Sequence, residues 1–173
     1  MTYRTRTYIA ADWDHDKAAV DQLYSWKANG RLSLDFHDAH ELTQARDTSL
    51  TCSIRSSLRT RMDASKTFVL IVGSSTNSIT KGGCQYCNSY NSWTGACARG
   101  YYVDTRSFIK YECDKAIEAG INIIVLYNST CVDRAKCPEA VRYKGQHVPM
   151  KKWLGSLTCW DYDAVKKAFD NIQ

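Results

Sequence analysis

The sequence predicts an α/β fold, a flavodoxin-like three-layer sandwich around a five-stranded parallel sheet. Three observations carry this. Strand and helix patterns alternate along the chain. Residues 67–72 and 121–127 are apolar on both faces, as central strands of a covered parallel sheet must be. The intervening segments repeat apolar residues three and four apart, as helices lying on a sheet do.

Residues 5–11 read as the first strand and end in the polar cluster of residues 12–16. A helix follows with Ala19, Val20, Leu23 and Trp26 on one stripe, stopped by Asn29 and Gly30. Residues 32–36 read as a short second strand, followed by a polar stretch over 37–48. Ser49 stands where it would cap a second helix whose Ile54, Leu58 and Met62 recur every four residues. The strand at 67–72 is the strongest and runs into Gly73, Ser74, Ser75, Thr76 and Asn77. Residues 78–102 are rich in Gly, Asn, Ser, Cys and aromatics, too long for an ordinary connection, and read as an elaborated functional loop over the crevice. Tyr86, Tyr90, Trp93, Tyr101 and Tyr102 there suit a small local core. Asp104 is placed to cap a third helix with Ile109, Cys113, Ala116 and Ile117 inward, closed by Gly120. The strand at 121–127 follows, then an edge strand at 147–150 marked by Pro149. A last helix starts at Asp161 and buries Val165, Ala168, Phe169 and Ile172. The whole of residues 1–173 reads as a single domain with an inserted loop at about 78–102.

At 173 residues with 44% hydrophobic and 24% charged side chains, the chain has globular composition, which excludes disorder and fibrous repeats. The net charge of +5 is mild and interspersed, so nucleic acid is not an expected partner. No apolar run is long enough to span a membrane, and residues 1–7 hold no signal-like apolar core; a soluble cytoplasmic protein without membrane contact is expected. The eight cysteines then read as reduced thiols. Only Cys84, Cys87 and Cys97 are grouped, and with Cys113 as the one candidate for a fourth ligand, no metal site is expected.

In such a sheet the ligand sits beyond the carboxyl ends of the strands, near the switch point. The residues expected there are Asp12, Trp13, Asp14, Ser74, Ser75 and Asn77, with Phe36 and Asp38 beside them. Several occupants of this fold are excluded by what is missing. There is no G-x-G-x-x-G after the first strand, no G-x-x-x-x-G-K-[ST] loop, and the first loop is acidic where a flavin phosphate needs free amides. A phospho-receiver domain needs an aspartate ending the third strand, where this chain has Gly73 and Ser74. Glu112, one turn after Phe108, lies roughly 60° off the Ile109–Cys113–Ala116 stripe, at the boundary of core and solvent. A carboxylate beside an aromatic at a crevice does acid–base work or steadies a developing positive charge. The plain alternative is a surface glutamate paired with Lys115.

Four stretches together resemble a bacterial TIR-like domain, of the branch found in Thoeris antiphage systems: YIAADWDHD at 8–16, FHDA at 36–39, IRSSL at 54–58 with ASKTFVLIV at 64–72, and FIKYE at 108–112 with Ala116. The similarity runs roughly over residues 5–127. The specificity lies in the order and spacing of the four. The resemblance implies an enzyme cleaving the nicotinamide–ribose bond of NAD+, with the family's aromatic-x-x-x-Glu motif at Phe108 and Glu112; Phe108 stands where the family often has Trp. It also implies that Ala11, Asp12 and Trp13 line the NAD+ pocket and that residues 37–48 form a loop gating that pocket and mediating TIR–TIR assembly. NAD+ is then a substrate, no cofactor is needed, and the product is a cyclic ADP-ribose-type signal sensed by a separate effector. Two other functions fit the same residues: a TIR interaction module without turnover, and a nucleoside deoxyribosyltransferase-like enzyme using a nucleophilic glutamate.

Overall fold

The computed structural model describes residues 4–32, 34–39 and 50–172. Its central sheet has four parallel strands, β1 (Arg6–Ala10), β2 (Ser65–Val72), β5 (Asn122–Tyr127) and β6 (Gln146–Pro149), in the order β1-β2-β5-β6. Strand β2 pairs in register with β5 from Thr67 opposite Asn122 to Val72 opposite Tyr127. These two strands are central and covered on both sides, which is why their apolar residues are continuous rather than alternating with polar ones.

Period-two alternation splits the core into two layers. Tyr8, Ala10, Phe68, Leu70, Val125 and Tyr127 face α2 (Thr51–Asp63) and α3 (Phe108–Glu118). Ile9, Val69, Ile71, Ile124 and Leu126 face α1 (Lys17–Ala28) and α4 (Tyr162–Asp170). The buried residues of α1 are Ala19, Val20, Leu23 and Trp26, the stripe read from the sequence. Each large aliphatic side chain enclosed in these layers contributes on the order of 1.5–3 kcal/mol.

Among the described residues the sheet has four strands where five were expected, and the expected second strand at 32–36 is not among them. Leu34 and Phe36 are buried and Asp35 and His37 exposed, so the alternation in this segment is present. Among the described residues the segment meets β1 at one parallel bridge, Thr7 with Asp38, where the Thr7 N–H donates to the His37 carbonyl at 2.7 Å, and the Arg6 guanidinium donates to the Asp38 carbonyl at 3.1 Å. Its pattern reflects burial of one face, which does not require a hydrogen-bonded ladder. Most of the 37–48 stretch, and Ser49, lie outside the described residues.

Two further differences concern caps and hairpins. Asp104 does not cap α3. Its carboxylate takes the Arg106 guanidinium at 2.7 Å and the Arg106 N–H at 3.0 Å and lies 3.6 Å from Arg55, all ahead of the helix, which begins at Phe108. Ser107 caps α3 instead, its hydroxyl accepting the Lys110 N–H at 3.3 Å. Between β6 and α4 an antiparallel hairpin, β7 (Lys151–Leu154) and β8 (Leu157–Trp160), turns at Gly155, whose φ is +63°. Asp161 caps α4 as expected, accepting the Ala164 N–H at 3.4 Å. Pro149 ends β6 on the sheet edge, where its missing N–H costs nothing.

Because Ser107 satisfies an otherwise orphaned amide while being 3% exposed, Ser107→Ala should destabilise the protein by about 1 kcal/mol. Urea unfolding of the variant and parent checks this; an unshifted midpoint would show that the cap carries no energy.

Candidate active site

The site begins where β1 ends. Asp12 folds the following turn onto itself: its carboxylate accepts the Asp14 N–H at 3.2 Å and contacts His15 Nδ1 at 2.6 Å, while its carbonyl accepts the Asp16 N–H at 2.7 Å. This Asx-type turn carries Trp13 outward to 44% exposure. Asp16 opens α1 with its carbonyl but turns its carboxylate inward to Asn128 Nδ2 at 2.9 Å, against Gly73. A Cβ at Gly73 would stand 2.1 Å from Asp16 Oδ1, so only glycine fits there. Burial pushes the Asp16 carboxyl above its ordinary range.

On the α2/α3 side, Arg55 fixes the insertion. Its guanidinium donates to the Gly82 carbonyl at 2.9 Å and the Arg106 carbonyl at 2.7 Å, so the chain leaves and returns at the same buried cation. The Phe108 N–H donates to the Lys81 carbonyl at 2.9 Å, and a Cβ at Gly82 would meet the Phe108 ring at 2.4 Å. Phe108 is thereby held by the first residues of the insertion.

Between these two assemblies lies a cavity of about 490 Å³, within the roughly 300–1,000 Å³ range of small-molecule sites. Ala10, Ala11, Asp12 and Trp13 form one wall, Ile54, Leu58 and Arg61 of α2 another, and Phe108, Ile109 and Glu112 of α3 the third. Ile79 and Lys81 close it from the insertion, and Lys81 Nζ reaches Asp14 at 3.2 Å across the mouth. The start of the insertion therefore does stand at the crevice. Its remainder, with β3 (Tyr90–Asn91) and β4 (Ala96–Cys97), sits beside the N-terminus of α2. Tyr86, Trp93, Tyr101 and Tyr102 are exposed there, so the small aromatic core expected from the sequence does not form.

Glu112 is one of three buried ionisable side chains lining this cavity, with Asp12 and Arg61. It is 7% exposed, and Oε1 accepts the Tyr8 hydroxyl proton at 2.5 Å. Lys115, its expected surface partner, pairs with Glu118 instead. Burial raises the Glu112 carboxyl to about 7, outweighing the Tyr8 hydrogen bond and the Arg61 charge, which both pull it down. The Tyr8 phenol, fully buried and facing a carboxylate, is pushed well above its ordinary value and so remains a donor.

Of the residues singled out from the sequence, Ala11, Asp12, Trp13, Phe108 and Glu112 line this one cavity. Phe36, Asp38, Ser74 and Asn77 do not. The bridge of Asp38 to Thr7, near the start of β1, puts Phe36 at the amino end of the sheet, where it packs on Phe169 and Tyr24. The Asp38 carboxylate accepts the Tyr24 hydroxyl. Ser74 is exposed beyond β2, and Asn77 donates to the Ala135 carbonyl at 3.3 Å beside a different groove. Sequence reasoning missed Tyr8 and Arg61. Both left a signal: Tyr8 is a phenol on a strand covered on both faces, which needs a hydrogen-bond partner. Arg61 continues the Ile54–Leu58 stripe of α2, where an unpaired cation would be costly.

A parallel sheet between paired helix layers, with a buried glutamate on α3 facing the loop after β1, makes this an α/β sandwich with its candidate site at the carboxyl end of the first strand. Residues 8–81 match the family model of the Thoeris protein ThsB, TIR-like domain, and it is this domain that the chain resembles. The match takes in β1, its turn and α2, hence two walls of the cavity, and stops before Phe108 and Glu112. No curated protein matches the chain.

The raised carboxyl makes stability depend on pH. Between about 4.5, its ordinary value, and about 7 the folded protein keeps a proton on Glu112 that the unfolded chain has released. Stability from this group is thus full below 4.5 and lost as pH rises through 7, by as much as about 3 kcal/mol. Glu112→Gln removes this loss, so the variant should gain on the parent between about pH 5 and about pH 8 in urea unfolding. A constant difference across that range would mean that Glu112 is not buried as a titrating acid.

Proposed function

We propose that the chain cleaves the nicotinamide–ribose bond of NAD+ as the signalling enzyme of a Thoeris antiphage system. The observation that carries this reading is a buried carboxylate, Glu112, in a nucleotide-sized cavity at the carboxyl end of β1. The family match supports the defence role.

The chemistry suits the residues. When the C–N bond breaks, its electron pair goes to the pyridinium nitrogen and nicotinamide leaves neutral, so no strong acid is needed. The ribose carbon becomes oxocarbenium-like, and a carboxylate beside it lowers the barrier. A ribose hydroxyl of the same molecule then attacks that carbon, its proton passes to the Glu112 carboxylate and on to solvent, and a cyclic ADP-ribose isomer results. With water as the attacking group the product is ADP-ribose. A carboxyl near 7 serves both steps, being ionised enough to steady the cation and basic enough to take the proton. Trp13 at the mouth offers a face for a ring of the dinucleotide, and Arg61 and Lys81 supply cations for its pyrophosphate. The cyclic product is the signal for a separate effector protein.

Glu112→Gln should lower nicotinamide release from NAD+ by roughly a hundred- to a thousandfold. Glu118→Gln, on the exposed side of α3, should retain the parent rate. Chromatography of the reaction separates nicotinamide, ADP-ribose and cyclic products. Undiminished release by the Glu112 variant would remove the glutamate from the mechanism.

A further inference from the structure

The insertion carries a second cluster that NAD+ chemistry does not use. Cys84, Cys87 and Cys97 from the insertion and Cys52 from the second position of α2 all line one small cavity of about 20 Å³. That is room for a single atom-sized occupant. Cys113, the fourth ligand the sequence suggested, is buried in the α2/α3 core layer instead. We propose that Cys52, Cys84, Cys87 and Cys97 form a structural zinc site that staples the insertion to the N-terminus of α2.

Four features support tetrathiolate ligation. First, Cys84 and Cys87 bracket a one-turn 3₁₀ segment, Cys84–Tyr86, with the Cys87 N–H bonded to the Cys84 carbonyl at 2.9 Å. This is a C-x-x-C turn of the spacing that zinc takes. Second, the Cys84 sulfur already accepts hydrogen bonds, as metal thiolates do. Cys84 Sγ accepts the Asp104 N–H at 3.3 Å and an Arg55 N–H at 3.4 Å. Third, charge is complementary. Zinc binding to four thiols releases four protons and leaves a dianionic centre, and Arg55 and Arg99 both stand at the site. Cys52 adds the favourable field of a helix N-terminus. Fourth, beyond its Arg55 anchor the insertion has little apolar packing of its own. Its strands are two residues long and its large aromatics are exposed. Among the described residues no three His, Cys, Asp or Glu side chains are grouped as metal ligands as they stand. Neutral thiols gain nothing by converging, and closure on the ion requires their side chains to turn into the shared cavity.

The test is elemental analysis of the full chain, expressed with zinc and purified reduced, with a cobalt-exchanged sample for spectroscopy. The expected result is one zinc per chain and, with cobalt, the intense thiolate charge-transfer and tetrahedral d–d bands of a sulfur-ligated ion. Cys97→Ser, in the exposed hairpin away from both core layers, should abolish stoichiometric zinc. Cys131→Ser, exposed beyond β5, should keep it. Absence of zinc from the parent protein, a cobalt spectrum without thiolate bands, or zinc retained in Cys97→Ser would each overturn the proposal. None of these readouts involves NAD+, so they stand or fall apart from the catalytic reading.

Discussion

The arrangement of the functional half of the molecule depends on one buried guanidinium. Arg55 projects from α2 at 8% exposure, donates to carbonyls at both ends of the insertion, lies against Asp104 and stacks over the Tyr111 ring at 5.4 Å. A buried cation that lost these partners would cost several kcal/mol, so the partners come as a set. Through them the insertion has one point of departure and return, and α3 has one place to begin. Phe108 sits at that beginning and Glu112 one turn later, so the depth of the carboxylate in the cavity follows from a contact made outside it.

Inside the cavity, competing effects set the state of Glu112. Burial penalises its charge, while the Tyr8 hydroxyl and the Arg61 charge favour it. Burial wins, but not by enough to keep the acid protonated through the physiological range. Ala10 and Ala11 matter for the same site by being small, since the space beside the carboxylate is the volume that larger residues at the end of β1 would fill.

The insertion divides its labour along its length. Its first residues, Ile79 to Gly82, belong to the cavity wall and to the seat of Phe108. The rest gathers three cysteines beside α2 and leaves its aromatics in solvent. Arg55 touches both parts, bonding Gly82 on one side and Cys84 on the other. Order in the cysteine cluster and order in the cavity wall are therefore linked through one side chain.

What the sequence by itself determined is whatever local periodicity controls. The continuous apolar runs of β2 and β5 specify central parallel strands, the stripe on α1 specifies its buried face, and Asp161 specifies where α4 starts. The order of these elements placed Ala11, Asp12, Trp13, Phe108 and Glu112 at one end of the sheet, because the carboxyl ends of parallel strands share a side. Tertiary structure decided the rest, where partners come from distant chain. The alternation over residues 34–37 is the same for a paired strand as for an extended segment buried on one face, and only its register on β1 sends Phe36 to the amino end of the sheet. Asp104 has the look of a helix cap in the sequence, but the helix starts only at Phe108 and the Asp104 carboxylate is taken by Arg106 and Arg55 from outside it. The Tyr8–Glu112 bond joins residues 104 positions apart, and Cys52 of α2 lines one cavity with the insertion cysteines. No local pattern encodes such contacts, because their energy depends on burial, and burial is a property of the packed layers rather than of any segment.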